Sequence, residues 1–320
     1  MRLLPQRIDR KTIARVFGSV ASLVLLLYLL SQQGWDEILA AIRSIPTTTL
    51  MAVLVLLVVS RLAVSARWYS LLRTTDPSIP FTEAVRLTLA GLFAANFLPT
   101  TIGGDVVRAA GVVRISHDRV ASVSSIVVDR LIGMLGMVMV LPLGLMELGS
   151  WLQGIPLRAG LAAPLLSFGL AGQAAPTGWR ARVIRLRRVM QRLVETWRGW
   201  LRQPGALAVA LGFSWINMLC VFVEVWLLLR AMGEALPLTT VGGLWSLSYF
   251  VTLVPVSING LGLRELSLTY IFSELGGVSM GSALTVALIL RTLDMLISLP
   301  GAILIPTLPA NRPNDSQVGP

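Results

Sequence analysis

Two segments repeat one spacing of proline, glycine and arginine. Pro99-Thr100-Thr101-Ile102-Gly103-Gly104-Asp105-Val106-Val107-Arg108 and Pro255-Val256-Ser257-Ile258-Asn259-Gly260-Leu261-Gly262-Leu263-Arg264 both read P-x-x-I-[GN]-G-x-x-x-R, 156 residues apart. Proline stops a helix, and Gly103-Gly104 and Asn259-Gly260 permit a tight reversal. A new helix starts there with unpartnered backbone N–H groups and a partial positive charge, which suits an anion such as phosphate. Arg108 and Arg264 fall in its first turns. Two such tips can enclose a lipid phosphate. The competing reading is structural: Arg108 pairs with Asp105 three residues earlier, and Arg264, beside Glu265, seeks a carboxylate elsewhere. Asp105 repels phosphate unless an arginine neutralises it.

A second match lies downstream, Arg130-Leu131-Ile132-Gly133-Met134-Leu135 against Arg291-Thr292-Leu293-Asp294-Met295-Leu296, with five residues inserted in the second half. Two matches in one order point to duplication. Asp129, Arg130, Glu224, Arg291 and Asp294 sit within apolar helices, where charge is costly and usually functional. Arg130 and Arg291 read equally as phosphate ligands or as partners of Asp294, Asp129 and Glu224. Arg61 and Arg67 are expected to snorkel to the cytoplasmic surface, His117 to be a solvated loop residue, and Cys220 a small core hydrophobe. The candidate binding set is therefore Gly103, Gly104, Asp105, Arg108, Arg130, Asn259, Gly260, Arg264, Glu265, Arg291 and Asp294. Catalytic residues, metal ligands and cofactors are not expected.

The elements that position this set follow from composition. The chain has 320 residues, 55% apolar and only 13% charged, half the charged share of a soluble domain. Val16–Trp35, Ser44–Ser60, Leu87–Gly104, Gln203–Val223 and Ala235–Leu263 carry no ionised side chain, and a spanning helix needs roughly 17–25 mostly apolar residues. The expected class is an all-α polytopic membrane protein, one transmembrane domain over 1–307 with a disordered tail at 308–320. The first apolar run lacks a cleavage site and reads as a retained anchor.

The formal charge is nonetheless +11. Residues 1–15 net +4 and residues 177–203 net +7, so the rest of the chain nets zero. Lys/Arg excess marks the cytoplasmic side, which accounts for the charge and leaves no case for nucleic acid. In 177–203, Val183, Leu186, Met190, Leu193, Trp197 and Trp200 form one helical face opposite arginines, the pattern of a helix lying on anionic lipid. Threading the membrane from these anchors gives spans 13–31, 49–66, 120–141, 158–176, 205–231 and 281–306. Residues 81–115 and 237–277 become re-entrant hairpins from opposite faces, and both termini lie inside. The repeat units 49–141 and 205–306 then have inverted topology, a transporter architecture.

The segment Leu98 to Arg108, then Val128-Asp129-Arg130, then Asn259-Gly260-Leu261-Gly262-Leu263-Arg264-Glu265 resemble the lysylphosphatidylglycerol synthase transmembrane, or flippase-like, family over nearly all of residues 10–307. The resemblance implies a bacterial or archaeal inner-membrane protein with re-entrant helices. In multidomain members the membrane half moves an aminoacylated phospholipid and a soluble domain makes it. This chain ends at Pro320, so aminoacyl transfer is not carried over. One departure stands out: Gly133 occupies the place of Asp294.

Three functions compete. The leading one is translocation of an anionic lipid or lipid-linked precursor, with membrane lipids as the only required partner. The second is a membrane enzyme acting on a lipid phosphate, such as a polyprenyl-linked glycosyltransferase, but its carboxylates would have to come from acidic residues that occur singly. The third is a non-catalytic partner of a separate lipid-modifying enzyme.

Overall fold

The computed structural model describes residues 45–97, 103–154, 203–253 and 262–304, with positions 43 and 200. The expected spans 13–31 and 158–176, most of the basic segment 177–203, the turn residues Asn259 and Gly260, and the tail 308–320 lie outside the described residues. Within them the regular structure is helical: α1 (Thr47–Thr75), α2 (Phe81–Phe97), α3 (Gly103–Ile115), α4 (Arg119–Gly154), α5 (Pro204–Ala231), α6 (Leu238–Thr252), α7 (Leu263–Glu274), α8 (Met280–Ser298) and α9 (Pro300–Leu304).

Proline sets several starts. Pro46 and Pro237 precede α1 and α6 in extended backbone, Pro80 precedes α2, and Pro204 opens α5, places where a missing N–H costs nothing. The Ser279 hydroxyl caps α8 by accepting from the Ser282 N–H. Four stretches, Thr47–Thr75, Val120–Trp151, Pro204–Ala231 and Met280–Ile303, are long and apolar enough to cross a membrane. Leu54, Val55, Val58, Met139, Met146 and Ile303 point outward from them, as expected where the surroundings are hydrocarbon. Helices α2, α3, α6 and α7 have 17, 13, 15 and 12 residues, short of the roughly 20 needed to cross.

Two expected spans change length. The span expected over 49–66 is part of a 29-residue helix, because Trp68, Leu71 and Leu72 continue the buried face beyond Arg67. The span expected over 120–141 belongs to a 36-residue helix that runs through Pro142.

The helices pack in a pattern that survives exchange of the two halves. Helix α1 packs along α5. The pair α2–α3 is matched by α6–α7, and the contact of α3 with α4 by that of α7 with α8. The halves also cross: α4 packs on α6, and α8 and α9 pack on α2. Glycine makes both crossings close. A Cβ on Gly144 would lie 2.3 Å from the Gly243 carbonyl oxygen, and one on Gly301 would lie 2.1 Å from that of Leu89. Small residues let helix backbones touch, which is how packing gains energy where lipid supplies no hydrophobic drive. Polar contact joins the central pair, where the Ser60 hydroxyl donates to Asn217 Oδ1 at 2.8 Å.

Gly103 and Gly104 are the buried first residues of α3, where the new helix is expected to start, and residues 98–102 before them lie outside the described residues. Gly104 also allows the hairpin arms to meet, since a Cβ there would stand 2.6 Å from the Gly91 carbonyl oxygen. Trp200, from the expected lipid-facing stripe, is buried against Leu71, Val128, Ile132 and Ala210.

Candidate functional site

Charged residues midway along the spans gather into two clusters, one per half. In the first, Asp129 of α4 receives two arginines. Arg67 Nε donates to Oδ1 at 2.7 Å, and Arg108 Nη2 to Oδ2 at 3.0 Å. Arg67 Nη1 also donates to the Ser214 hydroxyl at 3.2 Å. The Arg108 guanidinium lies 4.1 Å from the centre of the Trp68 ring, a cation–π contact, and Trp68 Nε1 donates to Ser125 at 3.0 Å. Arg108 meets Asp105 only at 3.5 Å. Asp105 is taken up by Arg130 of α4.

The second cluster repeats the arrangement. Asp294 of α8 receives Arg264 Nη1 on Oδ2 at 3.0 Å and Arg61 on Oδ1. Arg264 stands 5.8 Å from the Trp245 ring centre, as Arg108 stands over Trp68. Arg291 of α8 faces Glu265 of α7 at 3.7 Å, beyond hydrogen-bond reach. In each half, then, the short helix carries an acid and an arginine, the long helix carries the complementary pair, and the four groups pair crosswise.

Sequence order reverses between the halves. The first half reads Asp105 and Arg108, then Asp129 and Arg130; the second reads Arg264 and Glu265, then Arg291 and Asp294. This accounts for the Gly133 departure. The acid that answers Asp294 is Asp129, one helical turn earlier, and a Cβ on Gly133 would meet Arg67 Nη1 at 3.0 Å. Glycine there leaves room for the guanidinium.

Of the sequence-derived set, Asp105, Arg108 and Arg130 come together in the first cluster, and Arg264, Glu265, Arg291 and Asp294 in the second. Arg61 and Arg67 correct the expectation of snorkelling. Both stem from the middle of α1, and each completes one aspartate. Arg130 corrects its expected burial: its side chain is 51% exposed, whereas that of Arg291 is 11% exposed. Arg264 is 34% exposed and Arg108 is buried. Each half therefore presents one arginine and buries the other, with short-helix and long-helix roles exchanged. Trp245 of α6 faces Arg264, so the aromatic side of α6 adjoins one of the presented arginines.

Two carboxylates outside the spans tie down the hairpins. Asp76, after α1, accepts from the Ser78 hydroxyl at 2.5 Å, the Ser116 hydroxyl at 3.0 Å and the His117 backbone N–H at 2.8 Å. The Ser78 hydroxyl first, and then the His117 N–H, hold its carboxyl well below the usual carboxylate range. The His117 ring is exposed, as expected, while its backbone is part of this joint. In the second half Glu234 Oε1 accepts from the Ser279 hydroxyl at 2.7 Å and N–H at 3.1 Å. Each acid joins the turn before a hairpin to the turn after it.

These features define a polytopic helical membrane protein with two crosswise-paired charge clusters. The family model for the lysylphosphatidylglycerol synthase TM region matches residues 15–301, and the chain belongs to that family. None of the curated proteins matches the chain significantly.

Proposed function

We propose that this protein translocates an anionic phospholipid or lipid-linked precursor between the leaflets of a bacterial or archaeal inner membrane. The helix pairs α2–α3 and α6–α7 act as re-entrant hairpins of an inverted repeat, with both chain termini cytoplasmic. The observation that carries this reading is the pair of presented arginines. Arg130 and Arg264 keep exposed side-chain surface while Asp129 and Asp294 are buried. A lipid phosphate bound between them rests near Trp245 and takes charge-assisted hydrogen bonds from both. Asp105 and Asp294 aim these two arginines, Arg108, Glu265 and Arg291 complete the clusters beside them, and Gly103 and Gly104 pack the hairpin that carries Arg108. The family relation supports a lipid substrate, because its name is that of a lipid-modifying system.

The test is translocation of headgroup-labelled phosphatidylglycerol in proteoliposomes. An Arg130→Gln, Arg264→Gln variant that elutes as folded protein is expected to lose at least roughly tenfold in rate, the weight of one charge-assisted hydrogen bond. An unchanged rate overturns the proposal.

A further inference from the structure

The second cluster holds one acid more than the first. Glu224 lies on α5, where the first half offers no counterpart: α1 supplies arginines to both clusters and α5 supplies this carboxylate. Glu224 is 2% exposed, and its Oε1 has no hydrogen-bond partner among the described residues. Its charged neighbours are Arg61 of α1, Asp294 of α8 and Arg264 of α7. None of the charges acting on it comes from α4 or α6, which also pack on α5. Arg61 and Arg264 are both committed to Asp294, so neither cation is bound to Glu224.

Other unsatisfied polar atoms keep it company. Glu265 Oε2, Thr269 Oγ1, Thr285 Oγ1 and Arg291 Nε and Nη2 are buried in the second half without hydrogen-bond partners among the described residues; in the first half Arg61 Nε, Thr88 Oγ1 and Arg108 Nε are, and Arg61 belongs to the second cluster through Asp294. Buried polar groups are normally satisfied, and a concentration of exceptions points to something the site exchanges. For a lone buried carboxylate the simplest such ligand is a proton.

We propose that Glu224 is a proton-binding site linked to anion binding at Arg264. This deepens the reading of lipid translocation and rests on it. An anionic phosphate arriving at Arg264 draws its positive charge away from Glu224 and adds a negative charge nearby. Both changes favour the protonated carboxyl. The proton comes from water on the side from which the lipid enters, becomes bonded to a Glu224 carboxylate oxygen, and leaves when the phosphate does and Arg264 returns to Asp294. No covalent bond in the lipid is made or broken. Phosphate and proton therefore bind together, and the moving unit carries no net charge from this pair. By linkage, lowering the pH tightens phosphate binding by the same factor that phosphate raises proton affinity.

Two measurements on the full chain in detergent test this. The first is binding of short-chain phosphatidylglycerol at about pH 6 and about pH 8. One linked proton gives up to about tenfold tighter binding per pH unit. Glu224→Gln, permanently neutral, is expected to bind at the tight limit with no such slope. A flat wild-type profile, or a slope retained in Glu224→Gln, overturns the proposal. The second is infrared difference spectroscopy of the protonated carboxyl C=O band, which is expected to titrate in the wild type and vanish in Glu224→Gln. Its absence from the wild type also overturns the proton site. If the band titrates but neither phosphatidylglycerol nor inorganic phosphate shifts it, the proton site stands, and its link to anion binding and the lipid reading fall. Elution and thermal melting of Glu224→Gln check that it folds.

Discussion

The Asp129 and Asp294 clusters are built on one plan and finished differently. At Asp129 the two arginines leave the carboxylate 2% exposed, with Ser214 bonded to one guanidinium and a tryptophan ring against the other. At Asp294 one arginine remains a third exposed, the neighbouring Arg291–Glu265 pair is stretched to 3.7 Å, and Glu224 adds an extra acid. The contrast separates two uses of buried charge. The closely paired core around Asp129 fixes helices in place, while Arg130 at its margin stays exposed. A cluster with spare donors and acceptors can take a ligand without first breaking a complete network.

The sharpest way to break this comparison is to remove each aspartate. Asp129→Ala leaves Arg67 and Arg108 buried without a countercharge and is expected to cost about 3–5 kcal/mol, so thermal melting in detergent should show little folded protein. Asp294→Ala is expected to cost less, about 1–2 kcal/mol, because Arg264 is already partly exposed and Arg61 keeps other charged neighbours. Equal losses would mean that the two clusters do not differ in kind.

Much of this plan is readable in the sequence. Proline and glycine spacing marks the hairpins, apolar runs mark the long helices, and the repeat relates Arg108 to Arg264 and Arg130 to Arg291. The parts that escape are set by packing. Arg61 reaches Asp294 across 233 residues, and nothing local distinguishes it from an arginine at a membrane surface. Two aspartates within apolar helices do demand cations, and the two mid-helix arginines of α1 could have answered that demand. Gly104 reads as a turn residue because Gly-Gly usually is one; only the closeness of α2 reveals its other use. Asp76 and Glu234 lie in short loops, where a lone acid has many ordinary explanations.

The glycine crossings sharpen the comparison at the next scale. Gly144→Val places carbon atoms against the Gly243 backbone and is expected to cost about 1–3 kcal/mol by overpacking, read as a lower melting temperature. Gly301→Val, at the matching crossing on Leu89, should cost a similar amount if the two crossings are equivalent. Arg130→Gln is expected to change stability by only about 0.2–1 kcal/mol, since its pair with Asp105 is half exposed. A large loss there would make Arg130 a structural group.

The smallest effect concerns pH. The Asp76 carboxyl is held below its unfolded value, so its contribution is fully present above about pH 4. It is lost only as the pH falls through the lower folded value. Hydrogen exchange at the His117 amide should therefore stay slow down to about pH 4 and quicken in stronger acid. Asp76→Ala should speed it roughly tenfold at neutral pH. Rapid exchange already at neutral pH in the wild type would remove the joint.

The crosswise packing of the halves bears on how the chain is made. Both partners of Asp129, Arg67 and Arg108, precede it in the chain, and only Ser214, which accepts from Arg67, comes later, so most of that cluster can close early in synthesis. Arg61 enters the bilayer long before Asp294 exists. During that interval the ribosome must still deliver α5 to α8 while an arginine waits in hydrocarbon, and the membrane insertion machinery has to shelter it until its acid arrives.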